Sequence, residues 1–99
     1  SEGRKRLHLA AVFACNFTNH MYALAQELLD DYGLPFDVML PLIDETTQKV
    51  HRLSPKQAQT GPAARGDKKV MDAHRKMLAD KPQLECIYQL LSDSIEKMK

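Results

Sequence analysis

Ninety-nine residues make room for one domain with one modest core, burying roughly two thirds of the unfolded surface at best. Fourteen basic and thirteen acidic side chains leave a net charge of +1, which gives no electrostatic basis for a nucleic acid partner. Aromatics are few, tryptophan is absent, no apolar run is long enough to span a membrane and no targeting segment is visible. Cys15 and Cys86 lie far apart in apolar surroundings without CxxC spacing, so they read as reduced core residues of a cytoplasmic protein.

The chain lacks a starting Met and opens SEGRKRLHL, polar residues running straight into an apolar segment. That opening is expected of a segment cut from something longer, either a cloned domain or a fragment. The first helix is predicted from about Lys5 to Tyr32, because helix formers dominate and period-two alternation is absent. Gly33 and Pro35 are its stop signal. From Leu7 to Phe17 it is apolar on nearly every side, interrupted only by His8 and Asn16. Beyond that point Met21, Leu24, Leu28 and Leu29 narrow it to an amphipathic stripe.

A second helix is predicted from Pro35 to Leu53, kinked or divided by Pro41, which removes one hydrogen bond and crowds the preceding turn. Ser54-Pro55 reads as an N-cap opening a short helix to about Gln59. Thr60 to Asp67, TGPAARGD, follows as a loop rich in special backbone residues. Two last helices are expected at Asp67–Ala79 and Pro82–Lys97, with Asp80 as a cap. Val70, Ala73, Met77 and Leu78 form one apolar stripe and Leu84, Ile87, Tyr88, Leu91 and Ile95 the other. The fold class is all-α, a single helical bundle built on one long central helix.

Charge is unevenly spread. Leu7 to Gln48 contains no Lys or Arg and six acids, whereas Lys49 to Lys76 carries eight basic residues and two acids. The two regions can complement each other, or the second can face an anionic ligand.

The candidate chemistry lies in two places. On a straight α-helix Asn19 falls within about 20° of His8 in azimuth and Asn16 about 80° from it, at axial separations of roughly 16 Å and 12 Å. His8 therefore cannot bond either directly, while Asn16 can cooperate with Asn19 or His20. Such a line fits along an extended ligand, such as a nicotinamide cofactor plus substrate; equally, its amides can satisfy the backbone of a packed loop. In the loop, Gly61 and Gly66 permit unusual backbone conformations and Pro62 stiffens the turn. Arg65 can grip a carboxylate or phosphate, and Asp67 can cap the next helix and orient Arg65. The RGD spelling carries little weight as an adhesion signal. No metal site is expected, since His8, His20, His51 and His74 form no HExxH or Cys/His cluster. No GxGxxG occurs, so the chain cannot by itself supply a Rossmann dinucleotide fingerprint.

The words LHLAAVFACNFTNHMYALA, PFDVMLPLI and QTGPAARGD, in this order and spacing, resemble the C-terminal domain of a bacterial family of predicted NADP-linked oxidoreductases. The resemblance covers residues 4–97. In that family a Rossmann-like domain precedes a helical domain of unknown function. The wider superfamily includes 6-phosphogluconate dehydrogenase, 3-hydroxyisobutyrate dehydrogenase, ketopantoate reductase and pyrroline-5-carboxylate reductase. The resemblance implies a 6-phosphogluconate dehydrogenase C-terminal-like fold that dimerises and closes the substrate side of a cleft. NADP is then bound mainly by the upstream Rossmann-like domain, absent from this chain, and a small molecule is the substrate.

By that analogy His8 and Asn16 are the catalytic candidates, with Asn19 and Arg65 as substrate contacts. Thr60, Gly61, Pro62, Gly66 and Asp67 complete the family's TGPxxRGD pattern as a structural loop. One position departs from the superfamily. Its hydroxyacid dehydrogenases place a catalytic Lys four residues before an Asn on this helix, and here that residue is Val12. His8 is the acid available instead, histidine being the side chain that ordinarily titrates nearest neutrality. The expected function is thus the substrate-side and dimerisation domain of an NADP-dependent oxidoreductase, inactive alone. The competing expectation is a self-association module with no part in chemistry.

Overall fold

The computed structural model describes residues 1–99 and is all-α, with no strand. It consists of two compact units, Ser1–Ile43 and Asp44–Lys99.

The first unit is dominated by one long helix. It starts at Glu2, three residues earlier than expected, because Ser1 caps it: the Ser1 hydroxyl accepts from the Arg4 amide at 3.3 Å. The basic lead-in is helical, and Arg6 pairs with Glu2 one turn away at 3.5 Å. Between α1 (Glu2–Ala11) and α2 (Thr18–Asp30) the backbone is not α-helical. Val12–Phe17 forms a π-helical segment, and the Thr18 hydroxyl donates to the Phe13 carbonyl five residues back at 3.4 Å.

A π segment fits one extra residue into the turn, so everything beyond it is rotated back by about 100° relative to a straight α-helix. Asn19 is therefore about 80° from His8 in azimuth rather than about 20°. The stop at Gly33 is as expected. Leu34 N–H donates to the Leu29 carbonyl at 3.0 Å and Gly33 N–H to that of Asp30 at 3.1 Å, closing α2 with a Schellman pair. A 3-10 turn at Phe36–Met39 then packs against α2, with Phe36 and Met39 half-buried.

Pro41 does not kink a helix from within. The expected second helix is divided one residue earlier, and Pro41 sits in the first turn of α3 (Leu40–Lys49), where its missing N–H costs nothing.

The second unit contains the buried residues. Ser54 and Gln57 form a reciprocal capping box at 3.2 Å each way, opening α4 (Pro55–Ala58). The expected loop is itself one helical turn, α5 (Pro62–Arg65), bracketed by Gly61 at φ 102° and Gly66 at φ 68°. Both backbones lie where a side chain is strained, so the two glycines are structural requirements of the motif. The Asp67 amide bonds the Pro62 carbonyl at 2.9 Å and the Gly66 amide that of Ala63 at 3.2 Å. This tight turn lies against both α6 (Lys68–Met77) and α7 (Pro82–Lys97).

Ala63, Met71 and Leu78 are the buried side chains, with Ala63 5% and Leu78 7% exposed. The inward register of α6 is thus Met71–Leu78 with His74 half-buried between them; of the expected stripe Leu78 is buried and Val70 half-buried, whereas Ala73 and Met77 are exposed. Asp80 does not cap α7, whose N-cap is Lys81, with no side chain bonding the first-turn amides. Both cysteines are exposed, not core. No helix is long and apolar enough to cross a membrane.

Leu78→Ala should lower the unfolding free energy by about 2–4 kcal/mol in denaturant titration, the usual cost of removing a buried leucine. Met77→Ala, on an exposed side chain one residue away, should change it by less than about 0.5 kcal/mol.

Candidate functional site

The expected site residues fall in both units. His8 is in the last turn of α1, Asn16 in the π segment and Asn19 in the first turn of α2. All three side chains are exposed, and none hydrogen-bonds to the protein. The amides of this helix are therefore not consumed in holding a loop; they are available to something outside the unit.

Beside them runs an apolar line. Leu9, Phe13 and Phe17 follow at four-residue spacing, and the two rings meet edge to face at 5.2 Å. Phe13 is 64% and Phe17 50% exposed. An aromatic pair at least half exposed, next to polar side chains without hydrogen-bond partners, is apolar surface able to take a partner.

The second cluster is the glycine-bracketed turn. Asp67 is the N-cap of α6, its Oδ1 accepting from the Val70 amide at 3.2 Å. Its other oxygen lies 3.9 Å from the Arg65 guanidinium, a loose pair with the arginine side chain 61% exposed. An ion pair this long and this exposed holds Arg65 weakly, so the guanidinium remains able to take an outside anion. Gly61, Pro62 and Gly66 fix the turn, while Thr60 precedes it in exposed chain and lends its carbonyl to Gln59 Nε2 at 3.1 Å.

Sequence reasoning missed a polar pair in the second unit. His74 Nδ1 and Tyr88 Oη are 2.8 Å apart, with their rings edge to face at 5.7 Å. They are fourteen residues apart on different helices, and nothing in the spacing pairs them. Tyr88 borders a concavity of about 290 Å³ between α6 and α7, with Asp72, Arg75, Asp93 and Glu96 around it. A second concavity of about 380 Å³ is bordered by Pro55, Lys56, Ala64, Ile95 and Met98. Neither includes a residue of the expected site. No three His, Cys, Asp or Glu side chains gather as a metal site would need.

These features define a strandless helical domain, carrying an exposed polar and aromatic helix in one unit and a glycine-bracketed arginine turn in the other. The chain belongs to a family described as a domain of unknown function, DUF2520, whose model matches residues 1–95. It is similar to a crystal structure of the Bacteroides fragilis protein BF3122, described as a "putative NADP oxidoreductase", at 66% identity and a TM-score of 0.97. The match covers 99% of this chain and 38% of that one, so the chain corresponds to part of a longer protein there. No curated protein matches it.

Burial pushes the Tyr88 hydroxyl above its ordinary value of 10.0. A raised acid favours its neutral form in the folded state, so that contribution to stability is intact below about pH 10 and lost as pH rises through the folded value. Tyr88→Phe should therefore flatten the alkaline limb of a stability-against-pH curve. At pH 7 the same variant should cost about 1 kcal/mol, since His74 loses its partner.

Proposed function

We propose that this chain is the substrate-side and dimerisation domain of an NADP-dependent oxidoreductase of the cytoplasm, with a 6-phosphogluconate dehydrogenase C-terminal-like fold. The observation that carries the reading is the near-complete match, at 66% identity, to one portion of a longer protein described as an NADP oxidoreductase. The exposure of His8, Asn16, Asn19 and Arg65 supports it, because groups that meet a substrate cannot already be satisfied by the protein.

The donor set indicates which end of the cofactor these residues fit. The stretch Leu7–Gln48 holds no cation and the chain has no phosphate-cradling glycine motif, so the phosphates belong to the upstream Rossmann-like domain. NADPH supplies the hydride when bound. The hydride goes to the carbonyl or imine carbon; His8 is the proton donor to the oxygen or nitrogen bonded to that carbon, and Asn16 hydrogen-bonds and orients the substrate further along the helix. Asn19 contacts the rest of a small keto or imino substrate, and Arg65, in the second unit, is the group available to take a carboxylate. Two copies associate through the first helix.

A second reading, a self-association module with no role in chemistry, is favoured by one observation, the exposed Leu9–Phe13–Phe17 line. The two readings part on turnover. The full-length protein should oxidise NADPH with at least one member of a panel of keto acids and imines, and this chain alone should not. Asn16→Ala and His8→Ala in the full-length protein should each lower kcat by about 100-fold. Turnover by the isolated chain would overturn the division of labour. Unchanged kcat in both variants would leave the self-association reading in its place.

A further inference from the structure

The larger concavity, bordered by Pro55, Lys56, Ala64, Ile95 and Met98, includes no residue given a role above, and its lining selects a ligand. We propose that it binds a small anion with an apolar body, an acyl or aryl group ending in a carboxylate or phosphate. The site lies wholly within the second unit, and it does not rest on the oxidoreductase reading. At about 380 Å³ it falls in the lower part of the range of small-molecule pockets.

Two ammoniums border it, Lys56 from α4 and Lys99 from just beyond α7. Neither is paired with a carboxylate. Arg52, Arg65 and Arg75, by contrast, lie 3.8, 3.9 and 3.4 Å from Glu45, Asp67 and Glu85. Lys99 Nζ stands 3.8 Å from where a Cβ on Gly66 would be, so its ammonium is folded back over the glycine-bracketed turn. No acidic side chain borders the concavity. On α7, Asp93 and Glu96 border the other concavity, whereas Ser94, Ile95 and Met98 border this one. Two cations facing one hollow without a counter-charge attract an anion into it.

The rest of the lining sets the other end of the ligand. Pro55, Ala64, Ile95 and Met98 are apolar, with Ala64 and Ile95 half-buried, so an apolar body gains by displacing water from them. A bare anion leaves that lining wet, and a neutral apolar molecule leaves both ammoniums unanswered. Ammoniums act as point charges, so a carboxylate and a phosphate are both accommodated. The basic stretch from Lys49 to Lys76 thus faces an anion at Lys56 as well as offering Arg65.

The test follows backbone amide NMR signals of the isotope-labelled chain, with octanoate and octyl phosphate as probes and acetate and octylamine as controls. Both probes should shift the Ala64, Ser94 and Ile95 signals saturably, and the tighter one names the headgroup. Acetate and octylamine should bind at least about tenfold more weakly. Lys56→Glu and Lys99→Glu should each weaken the tighter probe about tenfold. Lys69→Glu, the same charge change at an exposed position on α6 outside the lining, should leave it within about twofold. Because Lys56 and Lys99 are exposed, the variants should keep the wild-type helical circular dichroism. Absence of saturable shifts at Ala64, Ser94 and Ile95 overturns the proposal. Equal weakening by Lys69→Glu, or octylamine binding as tightly as octanoate, overturns it as well.

Discussion

The first unit has no interior of its own, and the rest of the structure follows from that constraint. Not one of its residues is buried, although Leu7, Leu9, Phe13, Phe17 and Leu28 are all large and apolar. Each such side chain gains roughly 1.5–3 kcal/mol when it leaves water. The second unit meets the same demand internally, folding the glycine-bracketed turn against α6 and α7 over Ala63, Met71 and Leu78. A helix with this much uncovered apolar surface has the area for a contact. Its polar groups acquire meaning from whatever closes over them.

The π segment organises that surface. In a regular α-helix a four-residue repeat drifts by about 40° at each step, so a line such as Leu9–Phe13–Phe17 would wind around the cylinder. The wider turn at Val12–Phe17 cancels most of the drift and keeps the aromatic line on one side and the histidine–asparagine line on another. One local departure from α geometry thus separates a surface suited to apolar packing from one suited to hydrogen bonding. The Thr18 hydroxyl, bonded to the Phe13 carbonyl, occupies an acceptor where the ladder widens.

Much of the secondary structure was legible in the sequence because its signals are chemical and local. Ser54 with Pro55, Gly33 after the long helix, and Asp67 before Lys68 each act within four residues, and each does what its type dictates. The all-α class followed from periodicity and composition. What escaped was set by longer geometry. The π segment has no sequence signature comparable to a cap, so the azimuths reckoned on a straight helix placed Asn19 on the same side as His8. The inward register of α6 was legible only in part: Leu78 and Val70 lie inward, but Val70, Met71, Ala73, Met77 and Leu78 permit two stripes, and contact with α5 and α7 puts Met71 in and leaves Ala73 and Met77 out. The cysteines were assigned to a core that the chain does not build around them. The motif TGPAARGD was recognised, but its form, a single helical turn between two left-side glycines, was not.

If the first helix is built to be covered by a second copy, self-association should depend on the aromatic line and not on the second unit. Sedimentation equilibrium of this chain at high micromolar concentration is the direct measurement. A dimer that dissociates when Phe13 and Phe17 are both changed to Asp, with helical circular dichroism retained, is the predicted result. A monomeric wild-type chain at that concentration would contradict it.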